Sequence, residues 1–219
     1  MPISLDPSLP PSLYPLAWLV GTWEGSGALH RPGADAGDLR VEQRLECTPT
    51  ENGTLAWVSE IHTVDQAAPL PPTSVFARED APPPRQGGTG ERNLLMRERG
   101  EWIVGEPLPG QDLQAAREAA PGSPAGIVSY ALTARFDPTT RGEGAAPAAA
   151  WAGEVRGPRI QLARRDEDTS QVLETRMAGY VSGRLMWLWE RRAGDTATGG
   201  PVAEESAMIP YLSLELDRA

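Results

Sequence analysis

Few residue types in this chain can do acid–base, nucleophilic or metal chemistry. All 20 basic residues are arginine, which excludes Schiff-base formation and a lysine general base. The two histidines, His30 and His62, belong to no Ser/His/Asp arrangement and no metal-ligand spacing, and we interpret both as surface side chains. The single cysteine, Cys47, excludes an internal disulfide and a cysteine metal cluster. Residue types alone therefore predict no catalytic residue and no metal site.

Large aromatic and thioether side chains near the C-terminal end are the other candidates, because such residues can line a pocket for a small apolar ligand. The candidate pocket residues are Met177, Trp187, Trp189 and Met208. The alternative interpretation is ordinary core packing, which is the commoner role for tryptophan and methionine. Residue type leaves both interpretations open, and core packing is favoured.

The element that organises the rest of the chain is the glycine-rich segment 21–27, which follows a short apolar run. At the two-residue period of a strand, Gly21, Trp23, Gly25 and Gly27 share one face. Repeated glycine in a strand indicates a sharp bend or another backbone close by, as at the start of a small closed barrel. These glycines lack the spacing of a dinucleotide-binding fingerprint.

Short strands joined by turns account for the remaining pattern. Residues 39–47 alternate in polarity, and Asn52-Gly53 predicts a hairpin into residues 55–64. Further strands are predicted at 94–96 and 102–104 around an Arg99-Gly100 turn, and at 127–136, 148–155, 160–164, 172–177, 185–190 and 208–216. Two helical turns are predicted within 112–120. No long helical pattern is present, which favours an all-β, antiparallel fold.

We therefore predict one closed β-barrel of roughly ten strands, since closure removes exposed strand edges. The barrel domain spans residues 13–219, with a short helical plug within residues 13–20 and a flexible N-terminal segment at 1–12. A barrel of this size leaves room inside for a single small ligand.

Three blocks of sequence resemble the nitrobindin family, which are small calycin-type barrels similar in shape to fatty-acid-binding proteins. The first block is the Gly-x-Trp-x-Gly-x-Gly motif at residues 21–27. Residues 176–187 resemble the penultimate hairpin of the family, and residues 209–218 resemble its last strand. The resemblance implies the same barrel. It also implies a cation–π contact between Arg218 and Trp23, as in related lipocalin-like barrels.

The resemblance directs attention to Tyr211. Family members that bind haem have a histidine at this place, between a proline and a leucine, and that histidine ligates the iron. Since this chain has tyrosine there, we expect a non-enzymatic barrel without cofactor, able to accept a small apolar ligand if its cavity is open.

Two alternatives to that expectation stay open. The first is a ferric haem b protein with the peroxynitrite isomerase activity of the family, in which Tyr211 ligates the iron as a tyrosine does in catalase. The second is an interaction scaffold that works through long loops rich in proline and glycine.

Charge and terminal sequence limit the partners and the location. The net charge of −10 and the pI near 4.8 disfavour nucleic acid and anionic membrane surfaces, because both repel an acidic protein. The first residues lack the pattern of a signal peptide, and no apolar run is long enough to span a membrane. We expect a cytoplasmic protein. The abundance of Ala, Arg, Gly and Pro suggests a bacterial source.

Overall fold

A computed structural model describes residues 8–31, 37–67, 88–120, 122–139, 149–193 and 207–219. Within these residues lie ten strands and one α-helix, α1 (Leu113–Glu118). The strands are β1 (Gly21–Leu29), β2 (Leu39–Pro49), β3 (Leu55–Ala67), β4 (Arg92–Pro107), β5 (Ser129–Thr139), β6 (Ala149–Arg156), β7 (Arg159–Arg165), β8 (Val172–Val181), β9 (Arg184–Arg192) and β10 (Met208–Arg218). Short 3₁₀ helices span Pro11–Leu16 and Pro124–Gly126.

The ten strands form one closed antiparallel barrel, which confirms the predicted fold. Each strand pairs with its neighbours in sequence, and β1 pairs with β10 to complete the ring. Closure leaves no strand of the barrel with an unpaired edge. Residues 1–7 of the predicted flexible segment lie outside the described residues, as do large parts of the proline- and glycine-rich loops of the scaffold hypothesis.

The glycine motif of β1 lets β10 approach closely. A Cβ atom at Gly25 would collide with the carbonyl oxygen of Glu215, and one at Gly27 would collide with that of Ser213. Only glycine fits where another backbone lies this near. The sequence-based interpretation of this motif as a site of close backbone approach is therefore confirmed.

A contact between Trp23, near the start of the sequence, and Arg218, near its end, stabilises the β1–β10 pairing. Arg218 lies opposite the fully buried Trp23 in the β1–β10 register, with its Cζ atom 4.6 Å from the centroid of the tryptophan ring. The expected cation–π contact is confirmed. Arg218 also donates hydrogen bonds to the carbonyl oxygens of Val20 and Trp18, which ties the last strand to the segment before the first.

The 3₁₀ helix at Pro11–Leu16 covers the end of the barrel at which β1 begins, and we call this the closed end. Its Leu13 and Leu16 are fully buried, in agreement with the predicted plug. We call the opposite end, at which β10 begins, the Tyr211 end. Among the described residues no helix is long and apolar enough to span a membrane.

One strand prediction is wrong. Residues 94–96 and 102–104 are not two strands around a turn, because β4 runs unbroken through Gly100. A Cβ atom at residue 100 would collide with both the Arg135 carbonyl oxygen and the Phe136 ring, so this glycine makes room for the backbone and an aromatic ring of β5. The helical turns predicted within 112–120 are confirmed by α1, whose first turn is capped by the Asp112 side chain.

Candidate functional site

A β-bulge turns Tyr211 toward the barrel interior. The β9–β10 register pairs Pro210 with Glu190 and Leu212 with Trp189, which leaves Tyr211 as an extra residue on β10. Its ring centroid lies 5.1 Å from that of Trp189, a buried residue. Bulges re-aim side chains and are frequent at barrel rims and next to active sites. The phenol group therefore faces the interior at the Tyr211 end.

A guanidinium group covers the Tyr211 ring. The Cζ atom of Arg191 lies 3.5 Å from the ring centroid of Tyr211 and 4.6 Å from that of Trp189. The Nε atom of Arg191 lies 3.2 Å from Glu174 Oε1, and Arg164 Nε donates to Glu174 Oε2 at 3.3 Å. The nearly buried Glu174 thus holds two arginines in place and positions one of them over the phenol.

A second ion pair lies deeper inside the barrel. Arg176 donates two hydrogen bonds of 2.8 Å to the carboxylate of Glu98, and both residues are buried. The Arg176 guanidinium also stacks on three rings, with its Cζ atom 4.5, 4.4 and 3.9 Å from the centroids of Phe136, Trp151 and Trp189. Desolvation of two charges is costly, and the two hydrogen bonds to Glu98 together with the three ring contacts offset that cost.

Aromatic rings occupy the middle of the barrel. The centroid of Trp57 lies 5.2 Å from those of Trp102 and Trp187 and 5.8 Å from that of Phe136. All four rings belong to the buried core. The structure thus gives Trp187 a packing role in the interior, below the level of Tyr211.

The other candidate pocket residues are placed differently. Trp189 faces the interior between Arg176 and Tyr211. Met177 is half-buried and follows the buried Arg176 on β8, so it lies on the outer face of the barrel. Met208 is half-buried at the start of β10. Of the four candidates, the structure brings Trp187 and Trp189 into the interior together.

Both histidines lie away from the interior. The Nδ1 atom of His30 lies 2.8 Å from Asp38 Oδ2, and its Nε2 atom lies 2.9 Å from Ser213 Oγ. His62 pairs with Glu42 in the β2–β3 register and borders a groove on the outer surface. In the part of the chain that the structure describes, no group of three His, Cys, Asp or Glu side chains could hold a metal ion.

Sequence reasoning missed the charged side chains of the interior. Glu98, Glu174, Arg176 and Arg191 all lie at inward positions of their strands. In a strand of alternating polarity, charged residues are normally assigned to the outer face. The pattern therefore predicts that these four side chains point outward. One clue is that Glu174 and Arg176 lie on the same face of β8 as the apolar Ala178, which is buried.

Comparison with known proteins identifies the family. The sequence profile of the THAP4-like, heme-binding beta-barrel domain matches residues 12–218. The expectation of a barrel without cofactor is therefore wrong, because the matched domain is a haem-binding one. The error came from taking a tyrosine at position 211, where the resemblance led us to expect a histidine, as a sign that no cofactor is bound.

Curated relatives agree with this match. A peroxynitrite isomerase from Arthrobacter sp. (strain FB24) is 29% identical over 97% of this chain and 100% of its own length. A ferric nitrobindin-like protein from Beutenbergia cavernae is 31% identical over 85% of this chain and 89% of its own length. The solved structure of Rv2717c from M. tuberculosis covers 97% of this chain and 99% of that chain, at 15% identity and a TM-score of 0.46. The sequence matches establish that the chain belongs to the nitrobindin family of THAP4-like, heme-binding β-barrel domains.

Proposed function

We propose that this protein binds one ferric haem at the Tyr211 end of its barrel, with the phenolate oxygen of Tyr211 as axial ligand, and isomerises peroxynitrite. In this proposal Tyr211 takes the place of the axial histidine of haem-binding family members. The observation that supports it most directly is the bulge in β10, which aims the phenol inward beneath Arg191. The activity is that of the relatives named peroxynitrite isomerase.

The donor set at this end fits ferric iron. Neither histidine of the chain faces the interior, and both ring nitrogens of His30 have polar neighbours. Tyrosine is an established axial ligand of ferric haem in other proteins. The positive charge of Arg191, 3.5 Å from the Tyr211 ring centroid, is placed to offset the negative charge of a bound phenolate. The residues present therefore fit a ferric haem held through oxygen.

Each residue around Tyr211 has a separate task in this proposal. Tyr211 would hold the iron, and bound ferric haem would supply the Lewis-acid centre for rearrangement of peroxynitrite to its isomer, nitrate. Glu174 orients Arg191 over the phenol ring. Trp189 packs edge-to-face against the Tyr211 ring and would hold it in position toward the iron.

A hemin titration tests the proposal. The wild-type protein should give a saturable Soret shift at one hemin per chain and should accelerate peroxynitrite decay once loaded. Tyr211→Phe removes the oxygen donor and should weaken hemin binding at least tenfold, on the order of 1.4 kcal/mol. Tyr211→His restores a strong neutral ligand and should tighten binding by a similar factor.

The matched control is Tyr14→Phe, because Tyr14 is an exposed tyrosine at the closed end. This variant should bind hemin as the wild type does. The proposal is wrong if the wild type shows no saturable Soret change, or if Tyr211→Phe binds hemin as tightly as the wild type.

A second candidate function is transport of a small apolar ligand, and a groove at the closed end favours it. The groove has a volume of about 800 Å³ and is bordered by aromatic and aliphatic side chains. Among them, Tyr14 and Ile127 are exposed. Exposed apolar surface of this kind often marks a ligand site.

Binding of the neutral dye Nile red distinguishes this function from haem binding. If the groove takes apolar ligands, Tyr14→Ala with Ile127→Ala should weaken dye binding several-fold and leave hemin binding unchanged. Ile103→Ala is the control, because Ile103 is equally exposed and does not border the groove. Equal dye affinity in all three proteins would exclude the groove.

A further inference from the structure

We propose that the interior at the Tyr211 end contains a subsite for a small planar oxyanion, a carboxylate or a nitrogen oxyanion, bound between Arg191, Trp189 and Arg176. The inference deepens the proposed function by naming an anionic ligand class for the same end of the barrel. It rests on charge and unpartnered donors of this chain, so it also applies to the protein without haem.

The first line of support is a charge imbalance. Five ionisable side chains form what we call the inner charge cluster: Glu98, Arg164, Glu174, Arg176 and Arg191. Glu174 pairs with Arg164 and Arg191, and Glu98 pairs with Arg176. The two groups are joined by Trp189, whose ring contacts both Arg176 and Arg191. Three guanidinium groups face two carboxylates, which leaves one positive charge. The protein as a whole has a net charge of −10. A charge in a partly desolvated site is costly unless it is paired. In the protein without haem, where no Tyr211 phenolate offsets Arg191, one bound monoanion would therefore balance the cluster.

The second line of support is a set of buried donors without acceptors. Arg176 Nε, Trp151 Nε1 and Trp189 Nε1 are buried and have no hydrogen-bond partner within the described part of the chain. Arg176 itself is only 2% exposed. Both carboxylate oxygens of Glu98 already accept from its other nitrogens. Trp57 Nε1 and Trp102 Nε1, in the aromatic middle of the barrel, are buried without a described partner as well. The donors of Arg176, Trp151 and Trp189 differ in belonging to side chains that contact one another, so one ligand that offers only acceptors could satisfy all three.

The shape of the surroundings favours a planar anion. The Arg176 guanidinium lies against the rings of Trp151 and Trp189, whose centroids are 6.3 Å apart. Guanidinium groups match the flat, two-oxygen edge of carboxylate or nitrate. Ordered water could satisfy the donors, but it would leave the positive charge unbalanced. The charge and the donors together therefore point to an oxyanion rather than to water alone.

Indole N–H signals provide a direct test in the protein without haem. With ¹⁵N-labelled tryptophan, the seven tryptophans give signals that Trp→Phe variants assign. Sodium nitrate and sodium acetate are titrated against sodium chloride at constant ionic strength. The signals of Trp151 and Trp189 should shift saturably with one shared dissociation constant. Those of Trp18 and Trp23 should stay in place, because they donate to the carbonyl oxygens of Pro15 and Leu19.

Two arginine variants separate the subsite from general charge effects. Arg191→Gln removes the half-exposed guanidinium of the cluster and should weaken nitrate and acetate binding at least tenfold. Arg44→Gln is the control, since Arg44 is an exposed partner of Glu24 on the outer face, and it should bind as the wild type does. The inference is overturned if no signal shifts saturably, if chloride gives the same shifts, or if both variants behave alike.

A comparison of two porphyrins identifies the source of the anion. If a haem propionate fills the subsite, hemin should bind at least tenfold more tightly than hemin dimethyl ester, and nitrate should compete with hemin. If a free anion fills it, hemin and the ester should bind alike. Arg191→Gln should remove any difference between them. If neither porphyrin binds, the haem proposal fails, while the indole titration still decides whether the oxyanion subsite exists.

Discussion

Arg176 and Glu98 form the most deeply buried ion pair of the described residues, and they make the barrel sensitive to single changes. Their side chains are 3% and 4% exposed. Arg176→Met would leave the Glu98 carboxylate buried without a partner. We expect this variant to lose about 3 to 5 kcal/mol in the free energy of unfolding, measured by urea denaturation with tryptophan fluorescence.

The double variant Arg176→Met with Glu98→Met measures the net contribution of the ion pair to stability, whereas Arg176→Met alone also includes the penalty for an unpaired buried carboxylate. Because both charges are then gone, we expect it to recover most of the lost stability. The exposed pair Arg44–Glu24 serves for comparison, since Arg44→Met should cost about 1 kcal/mol or less. A double variant no more stable than Arg176→Met would contradict this account.

Individual residues differ in how far the sequence reveals their roles. Trp23 and Arg218 could be paired in advance, because the motif and the last strand fix both positions. The direction of Tyr211 depends on a bulge between β9 and β10. Pro210, immediately before it, is a sequence sign of such an irregularity, but it does not tell which way the next side chain points. Arg176 could not be placed inside, because its partner Glu98 is on a strand far away in the sequence.

At the scale of elements, the β1–β10 pairing depends on the absence of side chains at two positions. Gly27→Ala would drive a Cβ atom into the β10 backbone at Ser213. We expect it to lower the free energy of unfolding by about 2 kcal/mol or more, because backbone cannot yield as a flexible side chain can. Urea denaturation measures the loss.

The control for this prediction is Gly179→Ala on β8. The nearest atom to a Cβ there is the Pro158 carbonyl oxygen at 3.8 Å, which is an ordinary contact. This variant should change stability by less than about 1 kcal/mol. If the two glycine variants lose the same stability, close strand approach is not the reason for the motif.

Strand positions were predictable where polarity alternates and unpredictable where packing between strands overrides it. β2 was recognised because its polar and apolar residues alternate. β4 was split in two because Gly100 resembles a turn residue. The Arg135 carbonyl oxygen and the Phe136 ring of β5, both close to where a Cβ atom would lie, explain its place inside a strand. A long-range contact thus decided what a local pattern could not.

At the scale of the whole molecule, the buried Cys47 makes stability depend on alkaline pH. Burial in the core raises the pKa of its thiol well above the ordinary value. The unfolded chain loses the thiol proton near pH 8.5, whereas the folded protein retains it. The unfolded state then binds fewer protons, so stability falls as pH rises above about 8.5, by roughly 1.4 kcal/mol per pH unit.

Urea denaturation at pH 8, 9 and 10 measures this dependence. Comparison with Cys47→Val isolates the thiol from all other titrating groups. The variant should lose less stability than the wild type over this range. If the two proteins had the same pH dependence of stability, the difference in Cys47 protonation between the folded and unfolded states would not be its cause.

The closure of the barrel by β1 and β10 also has a consequence for synthesis. Arg218 reaches Val20 across 198 residues of sequence, so the first strand cannot complete its pairing until the last strand has left the ribosome. At translation rates of about 5 to 20 residues per second, a nascent chain exposes the unpaired side of β1 for roughly ten seconds or longer. The side of β1 that β10 covers in the folded barrel therefore stays open to non-native pairing until translation ends.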